Sequence, residues 1–291
     1  MNSLTTIVQV PQNEQTPQVN RRLGRLPRKS SRKALLFSDF FKVMVVPPAT
    51  NFWTKRRALP LRSFGNTDYG DCTRAKQAMA QMRFERLEQR STINVTDAEV
   101  IRVYLEMTQR LYGGGDTGAY EEDALNEWRR PETTFKDVKS RPYTIDAFVA
   151  LNTAKQDELR SGIALSGAHG IAVCFNLPAA WAPLGAGETW ALPPGQSLTG
   201  NWMPGSWGGH SMWALDYTQR GMMVDGTWKD GPRLVTWDAV AAYCDEAHMV
   251  IDSVDAWRKK VAKSTVGHLD LDRVVDAVND VSSYPILQGA A

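Results

Sequence analysis

The spacing of apolar residues along this chain changes once, near Pro142, and that change constrains the fold more than any other feature. Before it, the spacing is helical: Ala75, Ala78, Met79 and Met82 follow i, i+3, i+4, i+7 within residues 72–89. Thr96-x-x-Glu99 is a capping box that opens a second helix, with Val100, Ile101, Tyr104 and Leu111 inward and Gly113 as its stop. A third helix is expected over Ala119–Arg130, after the loop Gly113–Gly118. Beyond Pro142, residues 144–151, 170–175 and 248–254 read as strands, and 211–217 with 222–225 as a hairpin about Arg220-Gly221. Gln156–Ser166 and Trp237–Cys244 interrupt them as helices. Helices that lead and strands that follow predict an α+β fold. Residues 177–208 form a long loop rich in proline and glycine. Its tryptophans (Trp181, Trp190, Trp202, Trp207) are either an exposed interface patch or the roof of a cleft.

Composition removes several function classes. With 43% hydrophobic and 23% charged residues, the chain can build one large core or two small ones. No run approaches the roughly 18–20 apolar residues of a membrane helix, and the first thirty residues lack the apolar core of a secretory leader. Cys72, Cys174 and Cys244 lie far apart without a CxxC pair, so no disulfide framework, metal site or cofactor is expected, and the thiols read as reduced. Charge is uneven. Residues 1–60 hold eleven Lys/Arg against Glu14 and Asp39, a balance of +9 within a total of +2. A basic arm over residues 1–46 is therefore expected, its first 34 residues too polar to fold alone and residues 35–41 anchoring it to the body. Such an arm suits an acidic protein surface or, through Arg21–Lys33, nucleic acid. A tail over residues 256–291 carries Leu271, Val274, Val275 and Val278 on one face of a short helix.

Cys72 stands in Gly70-Asp71-Cys72, directly before the first helical run. A helix N-terminus favours thiolate there, although most free cysteines are small buried hydrophobes. His210 begins an apolar strand in Gly208-Gly209-His210, 138 residues after Cys72, inside the 130–150 interval of papain-type enzymes. Asp225 closes the neighbouring strand, where antiparallel pairing brings it back toward His210 to orient the ring. Asn66, six residues before Cys72, is placed to supply an oxyanion donor.

Four segments, taken together over residues 47–255, resemble the papain-like cysteine peptidases. Pro47–Thr54 is similar to the opening of the mature domain, and Asn66–Cys72 to the loop carrying the oxyanion glutamine and the nucleophile. Gly113–Gly118 with the following helix is similar to the glycine-rich wall of the substrate groove. Gly209-His210 with Asp225-Gly226-Thr227-Trp228 is similar to the strands bearing the histidine, the asparagine and its tryptophan. The resemblance implies a helical subdomain followed by an antiparallel β subdomain, with the site between them. Cys72, His210, Asp225 and Asn66 would be catalytic, and Gly113, Gly114, Gly209 and Trp228 would line the groove. Three departures stand out: Thr73 in place of a tryptophan, Asp225 in place of asparagine with one extra residue before Trp228, and Asn66 in place of glutamine. The form Gly-Asn-x-Asp-Tyr-Gly-Asp-Cys with its Leu-Pro-Arg-Lys lead-in also resembles papain-like proteins encoded by phages and prophages. A cysteine hydrolase acting on a protein or peptide substrate is expected, located in a virion or the host cytoplasm, with residues 1–46 crossing the groove or contacting virion proteins. The alternative is a structural virion protein that keeps the fold with a vestigial site.

Overall fold

A computed structural model of the chain describes residues 21–28, 35–41, 47–51, 62–88 and 93–253. Lys29–Lys33 and the tail helix expected at Leu269–Val281 lie outside these residues. The helices are α1 (Phe37–Phe40), α2 (Cys72–Glu88), α3 (Asp97–Tyr112), α4 (Glu121–Trp128), α5 (Gln156–Ser166) and α6 (Trp237–Tyr243). The strands are β1 (Ala147–Leu151), β2 (Ile171–Leu177), β3 (Gly208–Tyr217), β4 (Gly221–Asp225), β5 (Arg233–Thr236) and β6 (Cys244–Ile251). They form one six-stranded sheet in the order β1-β6-β2-β3-β4-β5, antiparallel at every junction. Helices lead and the sheet follows, as the change in spacing predicts. Strand β5, four residues long, is too short to show a period in sequence.

The sheet separates two cores. On one face, Ala75, Ala78 and Phe84 of α2 meet Trp128, Trp213 and Leu215. On the other, α5, α6 and the tryptophan loop cover Val173, Phe175 and Met212. Helix α2 was expected to bury one apolar face. Instead it is buried all round from Cys72 to Glu85, packed between the sheet and helices α3 and α4. Its polar residues therefore find partners inside: Arg74 donates to the carbonyls of Ala124 and Thr133, and Gln81 accepts from the Trp128 indole. Thr96 caps α3 through the Glu99 amide, worth about 1 kcal/mol, and Gly113 ends it at φ 88°. Leu111, expected inward, is 42% exposed, because the last turn of α3 projects past the core.

Trp181 and Trp190 are buried and stack at 4.9 Å, and Trp202 and Trp207 pack against the same core. The loop is thus an aromatic wall, and the exposed-patch reading is overturned. Phe37 and Phe41 stack at 4.7 Å inside that core, and the Ala150 amide donates to Leu35 O at 2.7 Å. This is the anchor expected of residues 35–41.

Candidate active site

The site lies where the N-terminus of α2 meets the start of β3. Cys72 is fully buried, and the Ser211 backbone offsets part of the burial that raises its thiol. Three residues on one face of α2 (Cys72, Lys76 and Arg83) turn toward the sheet. Lys76 Nζ pairs with Glu121 Oε1 at 2.5 Å, and Ser211 Oγ donates to Glu121 Oε2 at 2.7 Å, all fully buried. This chain ties α2, α4 and β3 together beneath Cys72. Burial opposes ionisation of Glu121, yet Lys76 and Ser211 hold its carboxyl below the usual range.

His210 is fully buried, its ring stacked on Trp228 with centroids 3.9 Å apart. Its Nε2 lies 2.8 Å from the Gly226 carbonyl oxygen. A carbonyl can only accept, so Nε2 carries the proton and the neutral ring keeps its lone pair on Nδ1. Among the described residues, Nδ1 has no hydrogen-bond partner.

The carboxylate expected on His210 is elsewhere. Asp225 accepts from Arg83 Nη2 at 3.1 Å and from the Thr227 amide at 3.1 Å, so it binds β4 to α2. The extra residue before Trp228 matters here: Thr227, at φ 58°, turns the chain so that Gly226 meets the ring. Asn66 is fully buried; its Oδ1 accepts from Thr227 Oγ1 at 3.1 Å and its Nδ2 donates to Tyr69 O at 3.2 Å. The Asn66 side chain also offsets part of the burial that raises the Asp71 carboxyl.

Residues 21–28 lie across the region between Asn66, Ala119 and Gly209, where the resemblance expects the groove. Arg22 N donates to Asn66 O at 3.3 Å and Arg25 N to Gly209 O at 3.1 Å. Leu26 N and Gly24 O bracket Ala119 at 2.9 and 2.7 Å, and the Trp228 indole donates to Arg22 O at 3.1 Å. Gly24 passes so close to Gly70 that a Cβ on it would overlap the Gly70 carbonyl oxygen. Gly209 and Trp228 meet segment 21–28, whereas among the described residues Gly113 and Gly114 do not. Gly113 is committed to capping α3, and Gly118-Ala119 form the wall in their place. The loop is braced by Asp116, which accepts from the Gly70 amide and the Tyr104 hydroxyl.

Closure sets the electrostatics. Burial pushes the Cys72 thiol up to about 12, against the pull of the Ser211 amide. Burial holds His210 down to about 3. The helix terminus was expected to favour thiolate, but in this closed state desolvation outweighs it and both groups are neutral. The arm's charge is also engaged within the chain: Arg21 pairs with Asp230, Arg22 with Asp116, and Arg25 with Asp245 and Glu246. These pairs engage three of the seven cations of Arg21–Lys33. Among the described residues, Glu122, Glu246 and His248 bring ligand-type atoms within 4.8 Å of one another, but Arg25 already holds Glu246.

The sheet, the helix that carries Cys72 and the strand pair that carries His210 together make this a papain-like fold. Xylellain, a cysteine protease from Xylella fastidiosa, superposes with a TM-score of 0.62 at 14% identity, covering 85% of this chain and 100% of that one. The Carica candamarcensis cysteine protease CMS1MS2 gives 0.52 at 14% identity, covering 72% and 100%. The cysteine protease and lectin-like domains of Cwp84 from Clostridium difficile give 0.54 at 10% identity, covering 81% and 57%. No family model matches the chain. No curated protein matches it significantly in sequence. Among the described residues, no helix is long and apolar enough to cross a membrane.

Proposed function

We propose that the chain is a papain-like cysteine hydrolase whose groove is closed by its own N-terminal arm. The Cys72 sulfur attacks the carbonyl carbon of a peptide, isopeptide or other amide bond, and its proton passes to His210 Nδ1. The imidazolium returns that proton to the leaving nitrogen, and water then hydrolyses the thioester. The Cys72 amide and the Asn66 side-chain amide receive the oxyanion. The observation that carries this reading is the His210 ring, held through Nε2 on Gly226 with Nδ1 unpartnered. The arm over residues 1–46 acts as a built-in inhibitor of the body over residues 47–255. Comparing the wild type with Cys72→Ala for iodoacetamide modification at neutral pH, mapped by peptide mass spectrometry, tests the nucleophile. Slow modification at position 72 is expected in the wild type alone, and equal labelling of the two proteins would overturn it.

Phage origin and virion association rest on the Leu26-Pro27-Arg28-Lys29 lead-in and the Asn66–Cys72 form. A second reading, a virion protein with a dormant site, is favoured by the burial of both Cys72 and His210. It requires that turnover stay absent even after the arm is displaced.

A further inference from the structure

Segment 21–28 meets the groove through main-chain atoms and through its arginine side chains. Gly209 O, Ala119 N and Ala119 O receive Arg25 N, Gly24 O and Leu26 N, and such contacts are available to any peptide. Among the side chains of 21–28, that of Arg25 is the most deeply enclosed. Arg25 is 3% exposed, and its guanidinium enters a recess between β2 and β6. Nη1 lies 2.7 Å from Asp245 Oδ1 and 3.3 Å from Asn176 Oδ1, and Nη2 lies 2.8 Å from Glu246 Oε2.

We infer that the recess lined by Asn176, Asp245 and Glu246 is a subsite for the arginine side chain of a peptide lying in the groove, which the arm fills with Arg25. The inference rests on the groove being the peptide-binding groove of the proposed hydrolase, but not on Cys72 turning over. Two carboxylates face one cation, and burial raises Glu246 to about 7 even beside Arg25, so the emptied recess is satisfied either by protonation of Glu246 or by another cation. The acceptors are divided between two nitrogens of one planar fork. An ammonium concentrates its hydrogens on one atom and cannot serve them all, so arginine is favoured over lysine. An apolar side chain would leave the buried Glu246 carboxylate, with the half-buried Asp245 beside it, without this counter-charge.

The test uses the full chain carrying Cys72→Ala and Arg25→Ala, which empties the recess without chemistry. The probes are fluorescein-labelled acetyl-Leu-Gly-Arg-Leu-amide and its counterparts with lysine or leucine in the arginine position. The arginine peptide is expected to bind roughly tenfold or more tighter than either counterpart, and Asp245→Asn to narrow that gap. Equal affinities, or no binding by the folded variant, overturn the inference. Should Arg25→Ala fail to fold, hydrogen exchange of the Arg25 and Leu26 amides is read in the Cys72→Ala chain. The arginine peptide is expected to raise it and the leucine peptide not, and no difference between them again overturns the subsite. Arginine-selective binding to a chain whose Cys72 never reacts would sink the hydrolase and keep the subsite. Turnover without arginine preference would do the reverse.

Discussion

Asp225 was placed beside His210 by strand pairing, and pairing does bring β4 along β3, with Trp213 opposite Asp225. What pairing could not reveal was Arg83, 142 residues earlier, whose guanidinium arrives from the face of α2 that also carries Cys72 and Lys76. A buried carboxylate answers the nearest buried cation before a neutral ring. Asp225 is therefore a structural residue, and Asp225→Ala should lower unfolding free energy by about 3–5 kcal/mol in urea titration. His210 titration followed by NMR should stay unmoved in that variant. A large displacement of the His210 titration would restore the orienting role to Asp225. The spacing of Cys72, Lys76 and Arg83 on one helical face was the available signal for both buried ion pairs, since charges on a core-facing stripe need partners.

At the level of elements, the device that matters is the extended segment 21–28 lying across the groove. Glycine at position 24 permits it, because only a residue without Cβ fits against Gly70 and Gly118. Gly24→Leu should expel the segment and rehydrate the site, lowering the Cys72 pKa and raising that of His210. Iodoacetamide modification of Cys72 at neutral pH should accelerate roughly tenfold or more in this variant. An unchanged rate would mean that the segment does not control access. The positions of α2, α3, α5, α6 and the β3–β4 hairpin were legible because each buries a repeating stripe or begins at a cap. The groove segment has no period and few apolar residues, so nothing local announced where it docks.

For the whole molecule, burial of neutral histidines sets the acid limit. His210 and His248 are both held down to about 3 from an ordinary 6.5, in each case chiefly by burial. Between those values the unfolded chain binds more protons than the folded one, so stability falls as pH drops from about 6.5 toward 3. Cys72 works at the other end: raised from 9.0 to about 12, it costs stability as pH rises through that interval. Thermal melting across pH should show both flanks. His248→Gln, which leaves Cys72 and His210 in place, should flatten the acid flank, and an acid flank identical to wild type would show that the His248 ring does not contribute.

The sequence by itself determined the α+β order, the helix start that holds Cys72, the strand start that holds His210 and the tryptophan beside it. These follow from short-range rules: periodicity, caps and turn residues. Only the tertiary structure decided that Gly226 rather than Asp225 holds the ring, that Gly118-Ala119 rather than Gly113-Gly114 meet segment 21–28, and that this segment lies between Asn66 and Gly209. Those outcomes depend on buried charges and main-chain hydrogen bonds between residues far apart in the chain. Such groups are settled by whichever partner the packed fold brings within reach, and sequence spacing does not encode that distance.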